Sequence, residues 1–321
     1  MLQMRCLMKK MMLILPVLSG VFWGSAGVFV RTLEAFGFDN FTIIFIRFAV
    51  AAFILFVGII AFDRSMLKIK PKDIWIFIGS GILGMLGLNF FYNYAISGLA
   101  LSIAAVLLSL YPVFVMNLAA IILKEKITGR KIGCAVLAIL GCVLVSGVFE
   151  SVAGMSLSML GVLAGLAAAL FYALYSIFSK TAMKQNYNVF TITFYSLLIG
   201  AIVMIPFTDW DIIGEFIVTA PVGNSIFIFL NSLCTSVLPY VLYTLSLSYV
   251  DTGKVSILAA GGEPSAAMVF GLLFFGEVPT ALSLCGLAVT IAALWFLCRP
   301  ESRDTNEVMA SEGRKVKEHV D

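Results

Sequence analysis

The chain has one histidine, His319, among 321 residues, and only 12% of its residues are charged. Without a histidine elsewhere it lacks the usual proton shuttle and ligand of histidine-based acid/base and zinc chemistry. Its six cysteines are Cys6, Cys134, Cys142, Cys234, Cys285 and Cys298. They form no Cys-x-x-Cys pair and mostly fall inside apolar runs, as expected of reduced packing residues and not of a disulfide framework or metal site. No Gly-Lys-Ser/Thr phosphate loop occurs, so ATP-driven work by this chain is not expected and no cofactor is implied. Positive charge is scattered between apolar runs and gathers into no patch, which argues against nucleic acid as a partner.

What the sequence has in excess is apolar surface. Hydrophobic residues make up 61% of the chain, against roughly 45–50% in soluble domains. A bilayer is the solvent that accommodates this composition. A spanning helix needs about 20 apolar residues, and long continuous runs without alternation exclude barrel strands. The expected spans are 11–30, 41–62, 74–96, 101–123, 132–149, 157–179, 189–208, 224–247, 254–275 and 281–298. The uncharged stretch from Ile74 to Leu123 is too long for one crossing and is divided at Ser97-Gly98. The first run follows Lys9 and Lys10 like a signal peptide, but its length suits a retained span and no small-residue cleavage site stands out. Residues 1–10 are expected to be a cytoplasmic N-terminus and 299–321 a disordered cytoplasmic tail.

The basic residues support ten crossings with both ends inside. All of the 21 Lys and Arg residues except Arg31 and Arg47 fall in segments that this topology makes cytoplasmic. The expected outer segments carry Glu34, Asp39, Glu150, Asp209, Asp211, Glu215 and Glu277 instead. This is the positive-inside pattern and points to a multi-pass protein of the cell membrane.

The chain also resembles itself. The stretch Phe22-Trp23-Gly24-Ser25-Ala26-Gly27-Val28-Phe29-Val30-Arg31 aligns with 171–180, Phe171-Tyr172 at its head and Lys180 at its end. Phe41-Thr42-Ile43 aligns with Phe190-Thr191-Ile192 at the same offset, and Pro112, Glu125 and Thr128 align with Pro264, Glu277 and Thr280. Two five-span repeats, 11–149 and 157–298, follow. An odd span number inserts the second upside down relative to the first, an arrangement frequent in secondary transporters.

On these residues the chain resembles the EamA-type members of the drug/metabolite transporter superfamily. The cues are Trp23-Gly24-Ser25, Arg47, Tyr111-Pro112 with Lys124-Glu125-Lys126, Glu263-Pro264 and Gly276-Glu277. The second half departs from the first: Tyr172 stands where Trp23 does, Ser196 aligns with Arg47, and Glu263 aligns with Tyr111. The resemblance implies a central cavity lined by the first, third, fourth, sixth, eighth and ninth helices. It also implies export or uptake of amino acids or similar metabolites, hence a small-molecule substrate.

Several residues are candidates for that site. Polar groups in lipid usually face a partner or a cavity. Asn89 and Asn93 lie four apart on one helical face, suited to a polar substrate or to an interhelical hydrogen bond. Trp23, Tyr111, Tyr172, Tyr240 and Tyr243 fit the aromatic wall of a small-ligand pocket, or plain packing. Pro112 and Pro264 are matched kink candidates. Gly20, Gly24 and Gly27, with Gly161 and Gly165, offer close helix contact. Arg47 is either a charge reaching the outer headgroups or a buried charge facing an anionic group. Glu263, the one carboxylate inside a span, is a candidate for proton coupling or for contact with a cationic substrate group. Pairing with Arg47 is its structural alternative. A membrane-embedded enzyme or a non-transporting scaffold or receptor is the competing class. An enzyme of that kind calls for acid/base clusters at depth, and only Arg47 and Glu263 are charged there.

Overall fold

A computed structural model describes residues 12–98, 101–145, 158–276 and 278–298. Every regular element among them is helical. The spanning helices are α1 Ile14–Ala35, α2 Asn40–Phe62, α3 Pro71–Ala95, α4 Val106–Leu123, α5 Gly129–Val145, α6 Met159–Lys184, α7 Val189–Phe207, α8 Pro221–Tyr249, α9 Thr252–Phe275 and α10 Ala281–Cys298. Nine of them, all but α5, are long and apolar enough to cross a membrane by themselves. α5 has 17 described residues, the shortest length that commonly spans, and residues 146–149 of the expected fifth span lie outside the described residues.

Three boundaries differ from the sequence reading. α1 continues five residues beyond Val30, so Arg31 and Glu34 are helical. It is interrupted at Ser25, whose hydroxyl donates to the Phe22 carbonyl at 2.6 Å; such back-bonding bends helices. The connection before α8 contains a short helix, Trp210–Thr219, capped by Asp209, whose carboxylate accepts from the N–H groups of Asp211 and Ile212. In the uncharged 74–123 stretch Ser97 and Gly98, the expected dividing point, are still helical; residues 99 and 100 lie outside the described residues, helix is described again from Leu101, and it breaks at Ser109-Leu110, ahead of Pro112. Pro112 has no N–H to bond the carbonyl four residues back.

Side chains are sorted inside out relative to a soluble fold. Large apolar groups such as Phe53, Phe62, Ile121, Leu160 and Leu273 are exposed, while Ser19, Thr42, Ser176, Thr193, Ser196, Asn231 and Thr290 are buried. Lipid is the solvent that makes this favourable.

The helix pairings obey a pseudo-two-fold. α1 packs on α8 and α9, and its counterpart α6 packs on α3 and α4; α2 packs on α7, and α5 on α10. Exchanging the two halves maps this set of contacts onto itself. α1 crosses α9 closely. A Cβ built on Gly24 would lie 2.5 Å from the Glu263 carbonyl oxygen, and one on Gly20 2.9 Å from the Glu263 nitrogen. Gly165 packs correspondingly on Leu107, but Gly27 faces open space and takes no part in a seam.

Candidate functional site

The crossing of α1, α4, α6 and α8 brings the five sequence-predicted aromatics into one cluster. Trp23 meets Tyr172, Tyr240 and Tyr243 with ring centroids 5.6, 5.2 and 5.6 Å apart, the first two edge to face. Tyr111 stacks on Tyr172 at 3.9 Å, and Tyr172 meets Tyr243 edge-on at 5.9 Å. The contacts of Trp23 and the Tyr172–Tyr243 pair fall in the preferred aromatic range, while the Tyr111–Tyr172 stack is closer than that range; packing accounts for most of the rings.

The hydroxyls divide into two groups. Tyr243 hydrogen-bonds Ser176 at 2.7 Å and Tyr175 hydrogen-bonds Thr244 at 2.8 Å, tying α6 to α8. The hydroxyls of Tyr111 and Tyr172 are buried; they lie within reach of each other but make no well-formed hydrogen bond. A buried polar group without a partner costs about 1–3 kcal/mol, so these two oxygens mark where a ligand or water has something to bond.

Arg47 turns toward α3. Its Nη2 donates to Asn89 Oδ1 at 3.0 Å, and its Nε is buried without a partner. Asn89 in turn donates to the Met85 carbonyl at 2.7 Å, so its orientation is fixed by its own helix. Asn93, one turn on, has a buried Nδ2 with no partner. The two asparagines share a face as expected. One positions Arg47 and the other offers a free donor.

Glu263 does not pair with Arg47. Among the described residues its carboxylate makes no ion pair and no hydrogen bond. Its charge reaches Tyr92, Tyr111, Cys142, Tyr172 and Tyr240, and Tyr240 also feels the charge of Arg47. Tyr240 is therefore within electrostatic reach of both groups. Pro264 sits inside a continuous α9, unlike Pro112, which follows a break. The carbonyl of Ala260, four residues before Pro264, accepts instead from Cys142 Sγ at 3.6 Å.

Tyr92, Tyr175, Ser176 and Thr244 join this site and were not singled out in the sequence. Helical spacing could have found all four, because Tyr92 is three residues from Asn89, Tyr175 and Ser176 are three and four residues from Tyr172, and Thr244 is four residues from Tyr240. A crevice of about 240 Å³ lies elsewhere, between α2, α3, α6 and α7, with apolar walls including Phe41, Leu86, Phe90 and Phe171. It holds none of the polar groups above.

Comparison with known proteins places this geometry in a family. The chain is 26% identical over 283 residues to a protein named as an uncharacterized transporter of Archaeoglobus fulgidus, covering 88% of this chain and 94% of that one. It is 24% identical over 288 residues to a probable terminal-alkyne amino-acid exporter of Streptantibioticus cattleyicolor, covering 88% and 92%. It is 25% identical over 257 residues to the pseudopaline exporter CntI of Pseudomonas aeruginosa, covering 80% and 85%. A solved crystal structure superposes with a TM-score of 0.72 over 89% of this chain and 95% of that chain at 15% identity, a likeness of fold. The profile of the EamA-like transporter family matches twice, over residues 10–147 and 159–299. Two matches that together span nearly the whole helical bundle, one to each half of the pseudo-two-fold, make the chain a membrane transporter belonging to the EamA-like transporter family.

Proposed function

We propose that this transporter carries small zwitterionic metabolites, amino acids or compounds like them, by alternating access, with Glu263 as the residue that couples transport to protons. The observation that carries this reading is the separation of Arg47 and Glu263. Both charges lie at membrane depth, they do not neutralise each other, and they converge on one aromatic cluster through Tyr240. A charge held in the hydrocarbon region is costly and normally paired. A ligand with a carboxylate at one end and an ammonium at the other supplies a partner to each. The free groups near Arg47 agree with the carboxylate pole, because Arg47 Nε and Asn93 Nδ2 can only donate. The name of the amino-acid exporter from Streptantibioticus points the same way.

Coupling follows from solvation. A carboxylate wetted from one side of the membrane and then from the other can load a proton on one face and release it on the other. The two halves supply the conformational exchange, as inverted repeats do elsewhere. The distribution of basic residues supports cytoplasmic termini in a protein of the cell membrane.

A ligand that binds only the folded state raises the melting temperature by mass action. The purified protein in detergent is therefore heated with each of the amino acids, and with their amides and decarboxylated amines. Stabilisation by one or more intact zwitterions, absent with the single-pole analogues and lost in Arg47→Lys, is expected; the lysine keeps charge but loses the planar fork. Equal stabilisation by amine and zwitterion would remove Arg47 from the binding role.

A further inference from the structure

On the cytoplasmic side the first half holds the second through Thr191 and Tyr195 on the Met66 and Leu67 carbonyls, Tyr187 on Asp73, and Arg130 on the Phe296 carbonyl, and it also grips the tight turn between α8 and α9. α8 ends at Tyr249 and α9 begins at Thr252, so the unmet carbonyls of one helix and the unmet N–H groups of the other meet within a few residues. The chain leaves α4 at Lys124, whose φ of 60° turns it sharply, and Glu125 then bonds the start of α9. One oxygen of the Glu125 carboxylate accepts from the Thr252 N–H at 3.1 Å and from the Thr252 hydroxyl at 2.6 Å; the other accepts from the Gly253 N–H at 3.5 Å. Lys131 of α5 pairs with Asp251 at 3.2 Å and is itself held by the Lys126 carbonyl at 3.0 Å. At the other end of the turn, Lys180 of α6 donates to the carbonyls of Leu247 and Val250. An anion sits at a helix start and a cation at a helix end, both as the helix dipoles favour.

The source of the cap is informative. Helices usually borrow a cap from the residue just before them, and Asp39, Ser158, Asn188 and Asp209 serve in this way here. Asp251 occupies that position for α9 and is of the right type, yet its side chain makes no cap. It faces Lys131, and the capping oxygens come from Glu125, 127 residues away in the other half. The start of α9 is thus complete only while the two halves touch on this side. Ser256, fully buried, lies one turn deeper, and seven residues further on the same helical face is Glu263.

We propose that Glu125 and Lys131 form a cytoplasmic latch that grips the Asp251–Gly253 turn, and that its release opens the path from the cytoplasm to Glu263. This rests on the alternating-access reading above.

The test uses the full chain with its native cysteines replaced and a single reporter, Ser256→Cys, in inside-out vesicles without substrate. An impermeant thiol reagent reports how often that buried position opens to the cytoplasm. A charge-assisted hydrogen bond is worth about tenfold in an equilibrium, so Glu125→Gln and Glu125→Ala should raise the labelling rate by roughly that factor. Lys131→Asp should raise it as well, and Asp251→Lys added to it should bring it back. A control reporter, Thr290→Cys, buried in the α5–α10 contact, should not change. Labelling that occurs but is indifferent to Glu125 and Lys131 overturns the latch alone. A rise of both reporters together also overturns it, because that signals a loosened fold. A Ser256→Cys that stays sealed in every variant counts against alternating access as well as the latch. If the Glu125 variants fail to accumulate, the Lys131/Asp251 exchange decides, and absence of restoration contradicts the proposal.

Discussion

A tyrosine ring and its hydroxyl do separate work in this bundle, and the two can be parted by removing one oxygen. Tyr172 stacks on Tyr111 and meets Trp23, but beyond its contact with the Tyr111 hydroxyl its own hydroxyl makes no well-formed hydrogen bond. Tyr172→Phe keeps the packing and removes only that oxygen. It is expected to leave the melting temperature of the unliganded protein unchanged or slightly raised, while weakening ligand binding. Tyr243→Phe is the opposite case, since that hydroxyl bonds Ser176. Interhelical hydrogen bonds in membranes average about 0.6 kcal/mol, so a small loss of stability is expected there. Thermal unfolding of the two variants side by side distinguishes them. A Tyr172→Phe protein less stable than Tyr243→Phe would mean that the Tyr172 hydroxyl has a structural partner. The residues that can be recognised from sequence alone at this scale are the charged and the unusual: Arg47, Glu263, Asn89, Asn93 and Trp23. The partners that orient them, such as the Met85 carbonyl for Asn89 or Ser176 for Tyr243, involve backbone atoms and common small residues, which carry no signal in a sequence rich in both.

At the scale of elements, α1 and α9 approach so closely that only glycine fits at two positions of α1. Gly24→Ala places a methyl against the Glu263 carbonyl and 2.8 Å from Ala266 Cβ, and backbone cannot yield as a side-chain tip can. Overpacking of this kind costs about 1–3 kcal/mol, and a melting temperature lower by several degrees is expected. Gly27→Ala, three residues on, meets nothing and gains helix propensity of up to about 1 kcal/mol. It should be neutral or stabilising. Equal effects at both positions would contradict the close crossing. The existence of the helices was plain from hydropathy, but their ends were not. Arg31 and Glu34 read as loop because they are charged, yet charged side chains at a helix end reach the headgroups without ending the helix. The helix Trp210–Thr219 is hidden from hydropathy because Asp211 and Glu215 interrupt its apolar residues. The break at Ser109-Leu110 is signalled only by Pro112 three residues later. The same holds for the glycines: their spacing marked a seam, but which of them the neighbouring helix would touch depends on the crossing angle.

For the whole molecule, the pseudo-two-fold links the arrangement of helices to their orientation. If the termini are cytoplasmic, Lys126 faces the cytoplasm and Glu215, on the short helix before α8, faces outward. Both side chains are exposed. In a cysteine-free background, an impermeant thiol reagent on intact cells is expected to label Glu215→Cys, and Lys126→Cys only after permeabilisation. Labelling of both without permeabilisation would mean a different number of crossings or a different orientation.

Coupling at Glu263 is the claim on which the functional account depends most. The measurement that tests it most directly uses proteoliposomes carrying wild type or Glu263→Gln, supplied with a zwitterion that stabilises the wild-type protein. Wild type is expected to accumulate that compound against its gradient when a pH gradient of the right sign is imposed, and to exchange it across the membrane when none is. Glu263→Gln keeps the shape of the side chain and removes its proton equilibrium, so exchange should survive and accumulation should not. Accumulation by the glutamine variant with the same pH dependence as wild type would show that the coupling proton travels elsewhere.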